Sequence, residues 1–238
     1  MTEPFALVIF DCDGVLFDSE SLLARVLAQC LQEAGFAASV EEVLEIGLGR
    51  DEVATSRAVA ARFGRALPAG FRARFRNRAL ALFAKELKPI AGVAELLGGL
   101  ELPCCAASNS PLNLVRLGLE VTGLSRFFGN RVFSAEKVGR GKPAPDLFLF
   151  AAAEEGACSA STLVVEDSLP GVEAALAAGM TAVGFCGGSH CAEGHGERLA
   201  AAGCRAVFAR MGDLADFLKA GLKAGLKAGA PKESARRD

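Results

Sequence analysis

The residues with most chemistry to offer are two carboxylates set two positions apart in Asp11-Cys12-Asp13-Gly14-Val15. On an extended chain, side chains two apart point the same way, so both acids can face one site. Three further segments carry groups of the same kind: Ser108-Asn109-Ser110, Gly141-Lys142-Pro143 and Glu166-Asp167-Ser168. Taken singly, each has an ordinary explanation. Acids at a strand end cap the helix that follows, a lone lysine is solvated, and a serine fills a turn. Together they would bring four carboxylates, a hydroxyl and an ammonium to one edge. Crowded carboxylates repel one another unless a hard cation lies among them. An oxygen-rich set suits Mg2+, which keeps several waters and takes a substrate phosphate as a further ligand. Such a cation also lowers the charge barrier between an anionic nucleophile and an anionic phosphoryl group. The chemistry such a set would serve is the approach of an anionic nucleophile to a phosphoryl group beside a divalent cation.

These groups need elements to position them. Residues 5–10 are apolar throughout and end in Asp and Gly, which predicts a central strand buried on both faces. Similar short runs recur at 104–107, 131–133, 163–165, 181–185 and 206–208, with helical segments at 111–121, 146–155, 170–178 and 193–202. The alternation predicts an α/β fold, a doubly wound parallel sheet whose strand C-terminal ends form the ligand-binding rim. One stretch, from about 19 to 86, breaks the rhythm. It opens with a helical segment at 19–34, for which Asp18 or Ser19 can cap. Phe71, Phe75, Ala79, Leu82 and Phe83 then recur at three- and four-residue steps as one apolar stripe. The expected organisation is a core of 1–18 and 87–217 with an all-helical insertion at 19–86, the chain crossing between them near 17–19 and 85–89. From Leu218 the sequence repeats Leu-Lys-Ala-Gly. Glycine at every fourth position weakens a helix by roughly 1 kcal/mol each time, so 218–238 is expected to be a fraying tail.

At 238 residues, 51% hydrophobic, the chain can bury a sizeable core and a smaller second unit. A net charge of -2 argues against nucleic acid as a partner. No apolar run approaches the roughly 18–20 residues needed to cross a bilayer, and residues 1–4 do not open a signal peptide. A cytoplasmic protein acting on a small molecule, without a membrane partner, is expected; the oligomeric state is not legible. Most of the eight cysteines sit in apolar runs and none is paired as Cys-x-x-Cys, which suits reduced thiols. Cys186, His190, Cys191 and His195 match no zinc spacing and lie in a Gly- and Ser-rich segment, so a surface loop is expected there.

The order Asp-x-Asp-Gly-Val, Ser-Asn, Lys-Pro and Glu-Asp resembles the haloacid dehalogenase superfamily, and the helical stretch after the first motif resembles its subfamily with a helical cap inserted at that point. The likeness runs from Phe5 to about Phe217. It implies that Asp11 is the nucleophile and that Asp13 protonates the leaving oxygen and later activates water. Ser108, with Asn109 beside it, and Lys142 would hold the phosphoryl group. Asp11, Asp13 through its carbonyl, and Asp167 would bind magnesium, with Glu166 in support. Dehalogenases lack an acid at the position of Asp13, and phosphonate-cleaving relatives need a cap lysine, whereas no lysine occurs between Ser19 and Ala84. Mutases of the β-phosphoglucomutase type are the alternative. Gly47-Leu48-Gly49-Arg50 resembles their phosphate-gripping loop, which makes Arg50 a candidate for a second anionic group. Leu23, however, stands where they carry a histidine, so hydrolysis is expected ahead of transfer. A phospho-acceptor signalling domain would need neither Asp13 nor a cap. Between Arg50 and Lys88 eight Arg and two Lys face three acids, and most of that charge is expected to be a solvated helical face.

Overall fold

The six apolar runs become strands: β1 (Leu7–Phe10), β2 (Cys104–Ser108), β3 (Val132–Ser134), β4 (Thr162–Glu166), β5 (Thr181–Phe185) and β6 (Val207–Phe208). The structure is a computed structural model that describes residues 5–228, with side chains to 220. Residues 1–4, on which the signal-peptide expectation rests, and 229–238, the end of the expected tail, lie outside the described residues.

β1 has no polar side chain and is wholly buried, so it can sit only in the interior of a covered sheet. It pairs in parallel with β2 on one side and β4 on the other, within the order β3-β2-β1-β4-β5-β6. Alternation along β1 feeds two apolar clusters. Val8 and Phe10 join Val93, Leu119, Leu124 and Phe128 on one face. Leu7 and Ile9 join Leu147, Phe148, Val172 and Leu199 on the other. The doubly wound parallel α/β sheet predicted from the sequence is the fold observed.

Of the five helices between β1 and β2, the first four fill the expected insertion: α1 (Glu20–Glu33), α2 (Val40–Gly47), α3 (Glu52–Phe63) and α4 (Phe71–Glu86). Ser39 opens α2 with a reciprocal capping box to Glu42, and Asp51 caps α3 through the amides of Val53 and Ala54. Leu27, Leu31, Phe36, Val43, Val59 and Phe71 form a third apolar cluster within this insertion. The α4 stripe divides: Phe71, Phe75 and Leu82 serve that cluster, while Ala79 and Phe83 join the sheet's. Phe83 meets Phe17 edge to face at 6.2 Å. The two connecting segments run side by side, Asp18 N donating to Lys88 O (3.0 Å) and Ile90 N to Leu16 O (3.1 Å).

The remaining helices are α5 (Val93–Gly98), α6 (Leu112–Val121), α7 (Ser125–Phe128), α8 (Asp146–Glu154), α9 (Leu169–Ala177), α10 (His195–Ala201) and α11 (Met211–Ala228). The last corrects the tail expectation. α11 runs through Leu218 without a break, and Leu218 is 2% exposed. Met211, Leu214 and Leu218 fall on one helical face and join the sheet's first cluster. Burying a leucine stabilises by about 1.5–3 kcal/mol, more than one glycine costs the helix.

Candidate active site

Three of the predicted groups, Asp11 with Asp13, Ser108 with Asn109, and Glu166 with Asp167, sit at the C-terminal ends of β1, β2 and β4, while Lys142 reaches them from the loop before α8 and Arg50 lies in the helical insertion. β1 ends at Phe10, and Asp11 follows with its amide donating to Val165 O (2.9 Å), which keeps the chain beside β4 for one residue more. Lys142 is 2% exposed and inserts its ammonium between two acids, donating to Asp11 Oδ1 (2.5 Å), Glu166 Oε1 (2.5 Å) and Ala107 O (3.1 Å). The loop that delivers it, with a cis Lys142-Pro143 bond, is latched by Asn109. Asn109 Oδ1 accepts from Lys142 N (2.9 Å), and its Nδ2 donates to Lys142 O (3.1 Å) and to Gly49 O (3.0 Å) in the helical insertion.

The other acids are held differently. Asp13 Oδ1 accepts from Ser19 Oγ (2.6 Å), and its Oδ2 accepts from Ser108 Oγ (2.9 Å) and Ser110 Oγ (2.8 Å). Ser19 occupies the N-cap position of α1 but makes no side-chain cap bond. The expected cap is absent because the hydroxyl is engaged with Asp13. Glu166 Oε2 accepts from Asp167 N, Ser168 N and Ser168 Oγ, so with Lys142 on its other oxygen Glu166 is saturated. Asp167 is the exception. Both of its carboxylate oxygens are buried without a hydrogen-bond donor. Gly14, at φ 80°, allows this arrangement, because a Cβ there would overlap the Asp167 carboxylate.

Burial drives the electrostatics. It pushes the carboxyls of Asp11 and Asp167 well above the usual range. For Asp11 the Lys142 ammonium pulls the other way, and for Asp167 the Glu166 charge adds to the rise. Burial alone would lower the Lys142 ammonium, but the two carboxylates it touches hold it raised. Lys142 therefore keeps its charge between the two acids it touches, while burial favours the protonated forms of Asp11 and Asp167 until a cation lies beside them.

A divalent cation fits this site. One oxygen from each of Asp11, Glu166 and Asp167 lies within 4.8 Å of the others, and the unpartnered Asp167 oxygens are the kind of ligand that a hard cation requires. Of the three, Asp11 and Asp167 retain free coordinating capacity, whereas the Glu166 oxygens are already engaged.

One cleft is lined by Asp11, Asp13, Ser108, Asn109 and Lys142 together with residues of the insertion, among them Arg50. Arg50 is exposed at this cleft. Arg62, Arg76 and Arg78 pair with Glu42, Glu52 and Glu33 instead, so much of the insertion's positive charge is consumed on its own helices.

Two features escaped the sequence reading. Glu20, the first residue of α1, lines the cleft, and burial with the charges of Asp13 and Asp167 pushes its carboxyl well up. Its place straight after the chain leaves the rim was the available signal. The segment expected to be a surface loop instead packs over Asp167. The His190 side chain is fully enclosed, with Nε2 2.9 Å from Asp167 Oδ2, close but not aligned as a hydrogen bond. His195 Nε2 donates to Asp167 O (2.6 Å). Burial lowers both imidazoles. Ser189 ties the loop to the start of the insertion, its N (3.0 Å) and Oγ (2.9 Å) donating to Asp18 Oδ1. Gly and Ser marked this segment as a loop correctly; which acid it would cover was a matter of packing.

The chain matches the family described as haloacid dehalogenase-like hydrolase over residues 5–179. It is 30% identical over 184 residues to the 6-phosphogluconate phosphatase of Escherichia coli K12, covering 77% of this chain and 83% of that one. Among solved structures, a conserved haloacid dehalogenase-like protein of unknown function from Agrobacterium tumefaciens is 38% identical with a TM-score of 0.78, covering 91% and 98% of the two chains. A family hydrolase from Deinococcus radiodurans, solved with bound phosphate and sodium, is 32% identical with a TM-score of 0.71, covering 92% and 97%. Among the described residues no helix is long and apolar enough to cross a membrane.

Proposed function

Because the chain belongs to the haloacid dehalogenase-like hydrolase family, we propose that it is a magnesium-dependent phosphatase that releases phosphate from a small phosphorylated metabolite. The observation that carries this reading is the pairing of Asp11 with the buried Lys142 ammonium at the floor of the cleft, beside an Asp167 carboxylate that lacks a donor. The phosphatase among the relatives and the phosphate in the Deinococcus hydrolase support it.

In the proposed reaction an Asp11 carboxylate oxygen attacks phosphorus. As the bond from phosphorus to the alcohol oxygen breaks, Asp13 gives that oxygen its proton. Asp13 then takes a proton from water, the water oxygen attacks phosphorus, and the bond to Asp11 breaks, returning the carboxylate and releasing inorganic phosphate. Bound magnesium, held by Asp11 and Asp167 with the Asp13 carbonyl, would supply charge neutralisation at the phosphoryl oxygens. Ser108 and Lys142 would hold that group, with Asn109 fixing the lysine loop. Ser19, Ser108 and Ser110 keep Asp13 oriented. The insertion would act as a cap over 19–86, excluding bulk water when closed; its paired crossings at Phe17 and Pro89 suit a hinge. Eight free thiols favour a reducing, cytoplasmic setting.

Hydrolysis is favoured over mutase chemistry by Leu23, an apolar residue lining the cleft where the mutases carry a histidine. The test is phosphate release across a panel of metabolites with and without chelator. Asp11→Asn should abolish release, and full activity in that variant overturns the reading. Acceleration by a sugar bisphosphate, with no net phosphate formed, would establish the mutase instead.

A further inference from the structure

The chemistry of the cleft changes along its length. Its floor is charged, but it continues over the core of the helical insertion, where the half-buried Leu23, Leu44, Leu48, Leu67 and Phe75 form the wall. The space within the cleft that water could occupy is about 90 Å³. The polar residues that the insertion adds are largely engaged or peripheral. Both Glu52 oxygens accept from Arg76 (3.1 and 2.8 Å), and Ser56 Oγ donates to Glu52 O (2.6 Å). Arg50 and Arg72 are exposed, and Glu20, the first residue of α1, stands at the charged end of the cleft.

A polyol entering this space would lose water from each hydroxyl and find few free partners in return. An unmatched buried hydroxyl is strongly unfavourable, whereas a buried methylene is favourable. We propose that the organic part of the substrate is a hydrocarbon: the site takes phosphate monoesters of hydrophobic alcohols, with the phosphoryl group on Asp11 and the carbon skeleton against Leu44, Leu67 and Phe75. This rests on the phosphatase reading and departs from the polyhydroxylated substrate named for the Escherichia coli relative.

The test has two arms, both on the full-length chain with magnesium. In the first, calorimetry measures binding of n-alkylphosphonates from ethyl to octyl, and of polyhydroxylated phosphonates of matched length. None of these can be hydrolysed. Affinity should rise about three- to fourfold per methylene until the chamber is filled, and the hexyl compound should bind at least tenfold more tightly than its polyhydroxylated counterpart. A flat alkyl series, or tighter binding of the polyhydroxylated compounds, overturns the proposal. In the second arm, kcat/KM for the corresponding alkyl and polyol phosphates should follow the same order; a reversed order also overturns it. Alkyl binding of the expected slope without phosphate release from any ester would sustain the apolar site and reject the phosphatase. Phe75→Asn should flatten the slope of the alkylphosphonate series.

Discussion

The carboxylates of Asp11 and Glu166, which approach from adjacent strands, share a single ammonium: Lys142 Nζ is 2.5 Å from an oxygen of each. The arrangement restrains the proposed nucleophile without neutralising the whole acidic group, since Asp167 remains unpartnered beside it. A bound cation would favour the ionised forms of the acids that burial raises.

Lys142→Ala should therefore damage the fold as well as the chemistry. It leaves Asp11 and Glu166 buried without their counter-charge, a change that destabilises by about 3–5 kcal/mol. Urea unfolding should show a loss of that order, together with at least a hundredfold lower phosphate release. Lys142→Arg should not restore activity, because the ammonium is enclosed by both acids and the Phe148 ring, 4.9 Å away. An alanine variant of native stability would contradict the assigned pairing.

Without a divalent ion, stability should fall as pH rises. Burial raises Asp11 and Asp167 in the folded chain, so the folded state keeps protons that the unfolded chain loses near pH ~4. The contribution of these groups is fully present below that value and is lost as pH climbs through their raised values. Magnesium should displace the protons, so the gain in Tm on adding it should be larger at about pH 8 than at about pH 5.5. Equal gains at both would remove the protons from the account.

His190 should matter for metal affinity more than for turnover at saturating metal. Its enclosed ring lies 2.9 Å from Asp167 Oδ2 and limits where that carboxylate can swing. Outer partners of this type change metal affinity by about 10–100-fold. His190→Ala should weaken magnesium binding by that factor in calorimetry and leave kcat within about threefold once metal saturates. Unchanged affinity would show the contact to be incidental.

Ser19→Ala removes the hydroxyl that donates to Asp13 Oδ1 at 2.6 Å. If Asp13 manages protons, kcat should fall about tenfold and its pH profile should shift while KM stays near its original value. A change confined to KM would place Ser19 in substrate binding instead.

The linear sequence determined the strands and the chemical roster. Runs such as 5–10 and 181–185 are apolar over short distances, and local hydrophobicity with a following Asp or Gly is enough to mark a buried strand. The acids at 11, 13, 166 and 167 could be picked out for the same reason: each follows or ends such a run. Tertiary structure decided the partners. Ser110 on Asp13, Asn109 across to Gly49, and His190 beside Asp167 join residues distant in the chain, and their meeting depends on how helices pack on a twisted sheet. α11 shows the same division. Its glycines spoke locally for fraying, while burial of Leu214 and Leu218 against the sheet, a term absent from any local window, carried the helix on.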